Sequence, residues 1–279
     1  MRKMMLAVLV GASLAGPSAA DVLGDIAERG KIRLGVRPDA APFSYLNEAG
    51  MPAGLAVSLC NEVTRRIAVQ LGAASLGTEY VVVSAQERFP ALISGRTDLH
   101  CGPASATLKR RQTLDFSILY FVDGAAAAVR PGTYETVFDN KLGKVGVLQG
   151  TTTQAVVTDL LERNGITAEV AAFSSHVRGL DALANDQLDL YFGDQAILLF
   201  QIDQQGLSDY LAVMDEHYSF EPYALVMRRG ESALRLAVDR ALSAVYADGT
   251  IYRLIGSELG EFPLPDEARA IYEIVGMPE

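Results

Sequence analysis

The sequence predicts an α/β protein of two lobes, each a mainly parallel sheet flanked by helices. Short apolar strands alternate with amphipathic helices over most of the 279 residues, the pattern of strands covered by helices on their faces. The strand–turn–helix succession runs once from Ile32 to Arg110 and restarts at Lys144, so the chain divides into two α/β units. No repeat, low-complexity tract or long polar linker separates them.

The elements follow in order. Arg2 and Lys3 precede an apolar stretch from Met4, and Ser18-Ala19-Ala20 supplies small residues for cleavage, so residues 1–20 read as a signal peptide. The stretch is too short for a spanning helix of about 20 residues. Ile32 to Val36 is the first strand, and Asn47-Glu48-Ala49-Gly50 turns a hairpin. Leu55, Leu59, Val63 and Ile67 recur at helical spacing over 55–69. Tyr80 to Val83 is a strand, and Ser84 with Glu87 forms a capping box opening a helix to about Ser94. Asp98 to Cys101 is a strand ending at Gly102-Pro103, and Thr107 caps a short helix carrying Arg110.

In the second cycle, Lys144 to Leu148 is a strand and Thr151 to Thr153 opens a helix that ends near Asn164-Gly165. Glu169 to Phe173 is a strand, and Ser174-Ser175 caps a helix through Leu183. Leu188 to Phe192 is a strand, after which Gly193-Asp194 opens a helix. Ala224 to Met227 is a further strand, followed by helices of which the last covers Asp266 to Ile274.

The formal charge is −10, and loss of Arg2 and Lys3 with the leader takes it to −12. Such a surface repels nucleic acid and anionic lipid. Nucleotide, metalloprotease, redox and nucleophile-elbow motifs are absent from the sequence, and His100, His176 and His217 lack metal-ligand spacing. No cofactor, metal or catalytic residue is expected. Cys60 and Cys101 can pair in an exported chain or lie side by side as buried thiols; their spacing does not decide.

Ligands of open α/β sheets bind beyond the carboxyl ends of strands. The polar residues there are Arg37, Ser84 to Arg88, Ser105 with Thr107 and Arg110, Thr151 with Thr152, His176 and Asp194. Each alone has a plainer reading: a solvated surface arginine, a structural histidine, an aspartate capping a helix. Together they suit a small molecule with two negative groups and one positive group. Arginine binds a carboxylate through a planar fork, a helix start at Thr151-Thr152 favours an anion, and Asp194 suits an ammonium.

The runs GVRPDAAPFSYLNEAGMPAGL, SAQERFPALISGRTDLHCGPASATLKRRQTLDFS, KVGVLQGTTTQ, FGDQAIL, EPYALVMRRG and ADGTIYRLI resemble, in order, the periplasmic solute-binding proteins of polar amino-acid ABC importers, family 3. The SAQER and HCGPAS runs, His176 and the tail LPDEARAIYEIVGMPE are similar to its glutamate/aspartate-binding branch. The resemblance implies the type II periplasmic-binding-protein fold, with two crossover strands. Lobe one would be 21–122 plus 222–279, and lobe two 123–221. It assigns Arg110, Ser105 and the Thr152 backbone to an α-carboxylate, Asp194 to the α-ammonium, and Arg37, Arg88 and His176 to a side-chain carboxylate. Pro103 replaces a serine of that branch, leaving its carbonyl for an ammonium; Ala56 replaces an aspartate and Ala85 a hydroxyl.

The implied protein is a periplasmic monomer that takes an amino acid or small dicarboxylate to an inner-membrane ABC permease and does not bind nucleic acid. Two other readings fit the same fold: a cyclohexadienyl-dehydratase-like enzyme, and a periplasmic partner or sensor subunit. The enzyme needs a protonated cleft acid, whereas nearby arginines are expected to keep Asp194 ionised.

Overall fold

The computed structural model describes residues 21–260, 264 and 266–278; the expected leader lies outside them. The first lobe opens with α1 (Val22–Arg29), a helix absent from the sequence expectation, and β1 (Lys31–Val36). A small antiparallel sheet follows, with β2 (Asp39–Ala40), β3 (Ser44–Leu46) and β4 (Pro52–Ala53). Its turn is closed by Gly50 N–H donating to the Asn47 carbonyl at 2.8 Å.

The helix α2 (Leu55–Gln70) buries Leu55, Leu59, Val63 and Ile67 completely, as the periodicity requires. Its first N–H groups have no preceding helical turn to receive them. The carbonyls of Pro42 and Phe43 do so instead, accepting from Leu55 at 2.9 Å and Ala56 at 2.8 Å. The next elements are β5 (Gly77–Val82), α3 (Arg88–Ile93), β6 (Leu99–Cys101) and β7 (Leu114–Asp123). The capping box forms, with Glu87 N–H on Ser84 Oγ at 3.2 Å and Ser84 N–H on Glu87 Oε2 at 3.1 Å.

The second lobe contains β8 (Ala125–Val129), β9 (Lys144–Leu148), α4 (Thr152–Arg163), β10 (Glu169–Phe173), α5 (His176–Ala184), β11 (Leu190–Asp194), α6 (Gln195–Gln204) and β12 (Ala212–Val213). The chain then returns to the first lobe through β13 (Glu221–Arg228) and ends with α7 (Ser232–Ala247), α8 (Thr250–Leu259) and α9 (Asp266–Ile274). Thr151 and Ser175 cap α4 and α5 by accepting from Gln154 N–H and Arg178 N–H.

The large sheets run β5-β1-β6-β13-β7 and β10-β9-β11-β8-β12. Both are mixed. The pairs β1–β5, β1–β6, β9–β10 and β9–β11 are parallel, whereas β13 and β8 pair antiparallel with both of their neighbours. The antiparallel halves arise where the chain changes sheets: β7 leads directly into β8, and β13 returns beside β7 with Glu221 opposite Asp123. Gly124 sits at this passage, where a Cβ would stand 2.7 Å from His217 Cγ and 2.9 Å from the Ser219 carbonyl oxygen.

The larger core of the first lobe gathers Ile32, Leu34, Leu59, Val238 and Ile271, and a smaller cluster gathers Leu92, Phe116 and Val226. Two further clusters fill the second lobe, one around Val147, Val157 and Phe192 and one around Leu180, Tyr191 and Leu198. Cys60 on α2 and Cys101 on β6 form a disulfide with Cα atoms 6.0 Å apart. It fixes the strand from which the Gly102–Arg110 loop departs. Among the described residues no helix is long and apolar enough to cross a membrane.

Candidate ligand-binding cleft

Between the sheets lies a narrow cavity. Its walls bring together these candidate ligand residues: Arg37, Arg88, Pro103, Ser105 and Arg110 from the first lobe, and Thr151, Thr152, His176 and Asp194 from the second. Their side chains have distinct surroundings.

The strand β1 ends at Val36, which places Arg37 at the cavity with 2 % exposure. Its Nε and Nη2 donate to Asp39 Oδ1 at 3.0 and 2.6 Å, so this arginine already has a carboxylate. Arg88, also 2 % exposed, opens α3. It donates to the carbonyl of Ala85 and, across the gap, to that of Gly150 at 3.2 Å. Its Nε is buried without a protein partner. Arg110 Nη1 donates to the Ser105 carbonyl at 2.9 Å. The guanidinium carbons of Arg88 and Arg110 stand 4.4 and 5.0 Å from the centroid of the Phe89 ring, a cation–π platform for both. Burial, then repulsion from Arg37 and Arg110, pushes Arg88 well below the usual arginine range. Burial also lowers Arg110, partly offset by Glu221 and Asp194. The arrangement favours an anion, whose charge would offset the crowding.

The opposite wall is a helix start with acids around it. Thr151 Oγ1 is occupied locally, donating to the Leu148 carbonyl at 2.7 Å and accepting from Gln154 N–H at 3.3 Å. Thr152 Oγ1 donates to Glu221 Oε2 at 2.7 Å, and Thr153 Oγ1 to Asp194 Oδ1 at 2.9 Å. Tyr223 Oη donates to the other Asp194 oxygen. Asp194 is pushed up to about 6, by burial first and then by the nearby Glu221. Desolvation and a second acid outweigh Arg110 here, and at about 6 the group is still mostly ionised near neutral pH. Burial and Asp194 likewise push Asp123 well upward.

His176 begins α5, and its Nδ1 lies 3.2 Å from Tyr191 Oη. Burial pushes the imidazole down to about 4, so near neutral pH it offers hydrogen bonding rather than charge.

Residue reasoning missed Asp39, Phe89, Thr153, Glu221 and Tyr223. Asp39 follows Arg37 by two positions, and Phe89 adjoins Arg88, but neither pattern distinguishes a pair from loop and core residues. Glu221 and Tyr223 begin the EPYALVM run. The apolar pattern starts the strand only at Ala224, whereas β13 begins at Glu221, so both residues fall outside the predicted element.

Two α/β lobes joined beside a cleft of mixed charge are the architecture expected of a solute-binding protein. The family model for bacterial extracellular solute-binding proteins, family 3, matches residues 32–260, and the chain belongs to that family. It is 28 % identical over 252 residues to the L-glutamate/L-aspartate-binding protein of Pseudomonas aeruginosa, covering 88 % of this chain and 83 % of that protein. It is 24 % identical over 242 residues to the glutamate/aspartate import solute-binding protein of Escherichia coli, covering 86 % and 80 %. Among solved structures, an ancestral arginine-binding protein bound to arginine matches with a TM-score of 0.74 and 27 % identity, covering 83 % of this chain and 99 % of that one. These relatives are solute-binding proteins, and the present chain is one of them rather than an enzyme.

Proposed function

We propose that the cavity binds an acidic α-amino acid, glutamate or aspartate, between closing lobes, and that the protein delivers it as a periplasmic monomer to an inner-membrane ABC permease. The observation carrying this reading is the pair of guanidiniums, buried Arg88 and half-buried Arg110, which donate to carbonyls rather than carboxylates, opposite the acid Asp194. Arg110 and the first N–H groups of α4 would receive the α-carboxylate, and Asp194 the ammonium. Arg88, the Arg37–Asp39 pair and His176 would frame the distal carboxylate. The names of the relatives in Pseudomonas aeruginosa and Escherichia coli support the acidic choice.

Lobe one would comprise 21–122 with 222–279 and lobe two 123–221, closing as units on a ligand that touches both. A thermal-shift screen against the amino acids and small dicarboxylates tests the reading. A ligand at about 100 times its Kd adds about 2.7 kcal/mol of stability. Stabilisation by neutral or basic amino acids in preference to glutamate and aspartate would refute the acidic assignment.

A further inference from the structure

Glu221 lies behind the cavity rather than in its lining, 1 % exposed. Three hydroxyls converge on it from separate parts of the chain. Ser105 Oγ, from the loop after β6, and Thr152 Oγ1, from the start of α4, both donate to Oε2; Ser219 Oγ donates to Oε1 at 2.7 Å. The first two come from opposite lobes, and both residues line the cavity.

A hydroxyl has one proton and two lone pairs, whereas a carboxylate only accepts. Ser105 and Thr152 therefore spend their protons on Glu221 and retain lone pairs for anything else that approaches. Toward the cavity they act as acceptors, which suits N–H donors and opposes a carboxylate oxygen. We propose, building on the amino-acid reading, that Glu221 is a positioning residue for specificity: by orienting the Ser105 and Thr152 protons away from the cavity, it selects an acid bearing an ammonium over the same diacid without one. The carboxylate is left to Arg110 and the backbone N–H groups of α4, and the two hydroxyls join Asp194 in facing the ammonium. This reverses the role that family resemblance assigns to Ser105.

Glutamine is nearly the shape of glutamate but brings a donor. In Glu221→Gln, the amide can donate to one hydroxyl and release that hydroxyl's proton toward the cavity. The test is calorimetry with L-glutamate and with glutarate, which lacks the amino group, on the full mature protein. The preference for glutamate over glutarate should fall about tenfold or more in Glu221→Gln, a factor equivalent to about 1.4 kcal/mol. Ser105→Ala provides a second route if the buried exchange impairs folding. It should weaken glutamate about tenfold more than glutarate, because it removes lone pairs facing the ammonium.

A folded Glu221→Gln protein that binds glutamate with an unchanged preference overturns the assignment of Glu221 alone. Equal losses for both probes in Ser105→Ala also overturn it, since the hydroxyl would then be serving the carboxylate. Failure of the wild-type protein to bind either probe overturns the acidic-ligand reading and this inference with it.

Discussion

Tyr223 on β13 donates its phenolic hydrogen to Asp194 at the end of β11, joining the two sheets through a single hydrogen bond. The same hydroxyl lies 3.5 Å from Asp123 Oδ2, so one phenol stands between two half-buried acids. Tyr223→Phe should remove a bond that favours ionised Asp194 and raise the pH at which ligand affinity is half lost. The expected cost in binding near neutral pH is about 1 kcal/mol. Calorimetric affinities measured across pH would reveal the displaced midpoint.

The pH dependence has a definite sign. Asp194 is raised from its ordinary 3.8 to about 6, so its contribution to folding stability is complete below 3.8 and is lost as pH climbs through about 6. An ammonium beside it reverses this preference by favouring the ionised form. Affinity should be full above pH 6 and fall below it, by up to about tenfold per pH unit. The decline should persist in His176→Asn, because burial has already pushed His176 down to about 4. A flat affinity profile between about pH 5 and 7.5 would contradict the placement of an ammonium at Asp194.

Arg110→Ala should weaken every amino-acid ligand by about 2 to 5 kcal/mol, since a buried carboxylate would lose its charged partner. Arg37→Ala should act on acidic ligands selectively. It leaves Asp39 without the two bonds it now receives from Arg37, which adds an uncompensated negative charge near the distal carboxylate. Comparable losses for acidic and neutral amino acids in Arg37→Ala would remove that residue from the specificity pocket.

The Cys60–Cys101 bond closes a loop with a sequence separation of 41, for which chain entropy gives about 4 kcal/mol of stabilisation. Urea unfolding of the reduced protein should register most of that loss. Ligand affinity of the fraction still folded should change less, because the bond lies beneath the site rather than in it.

Gly179 on α5 faces the ring of Tyr191, and a Cβ there would stand 2.0 Å from Cε2. Gly179→Ala should therefore force the helix or the ring to shift, costing about 1 to 3 kcal/mol. It should also disturb the neighbouring His176–Tyr191 contact. Thermal unfolding measures the first effect and the NMR shift of the His176 ring the second.

Most of the second lobe was legible in the sequence, because its strands are short apolar runs and its helices begin at Thr151 and Ser175, whose capping chemistry is local. The site's arginines were legible for a related reason: Arg37 and Arg88 sit where elements change, and that position alone directs them to the cleft. What could not be read was pairing over distance. Asp39 takes up Arg37, Glu221 collects hydroxyls from three places, and Tyr223 reaches Asp194 only because β13 returns beside β7. The upward shift of Asp194 was not legible for the same reason. It depends on the depth of burial and on a neighbour 27 positions away in the chain.

The passage between lobes is a two-stranded ribbon, with Asp123 and Glu221 paired across it. Such a ribbon flexes readily across its flat face and resists shear within its plane, because in-plane sliding would break the ladder between its strands. If the lobes close as proposed, such a ribbon would let the halves swing along one arc and meet in the same alignment each time. Glu221 is built into that ribbon, so in such a motion the residue that collects hydroxyls from both halves would travel least.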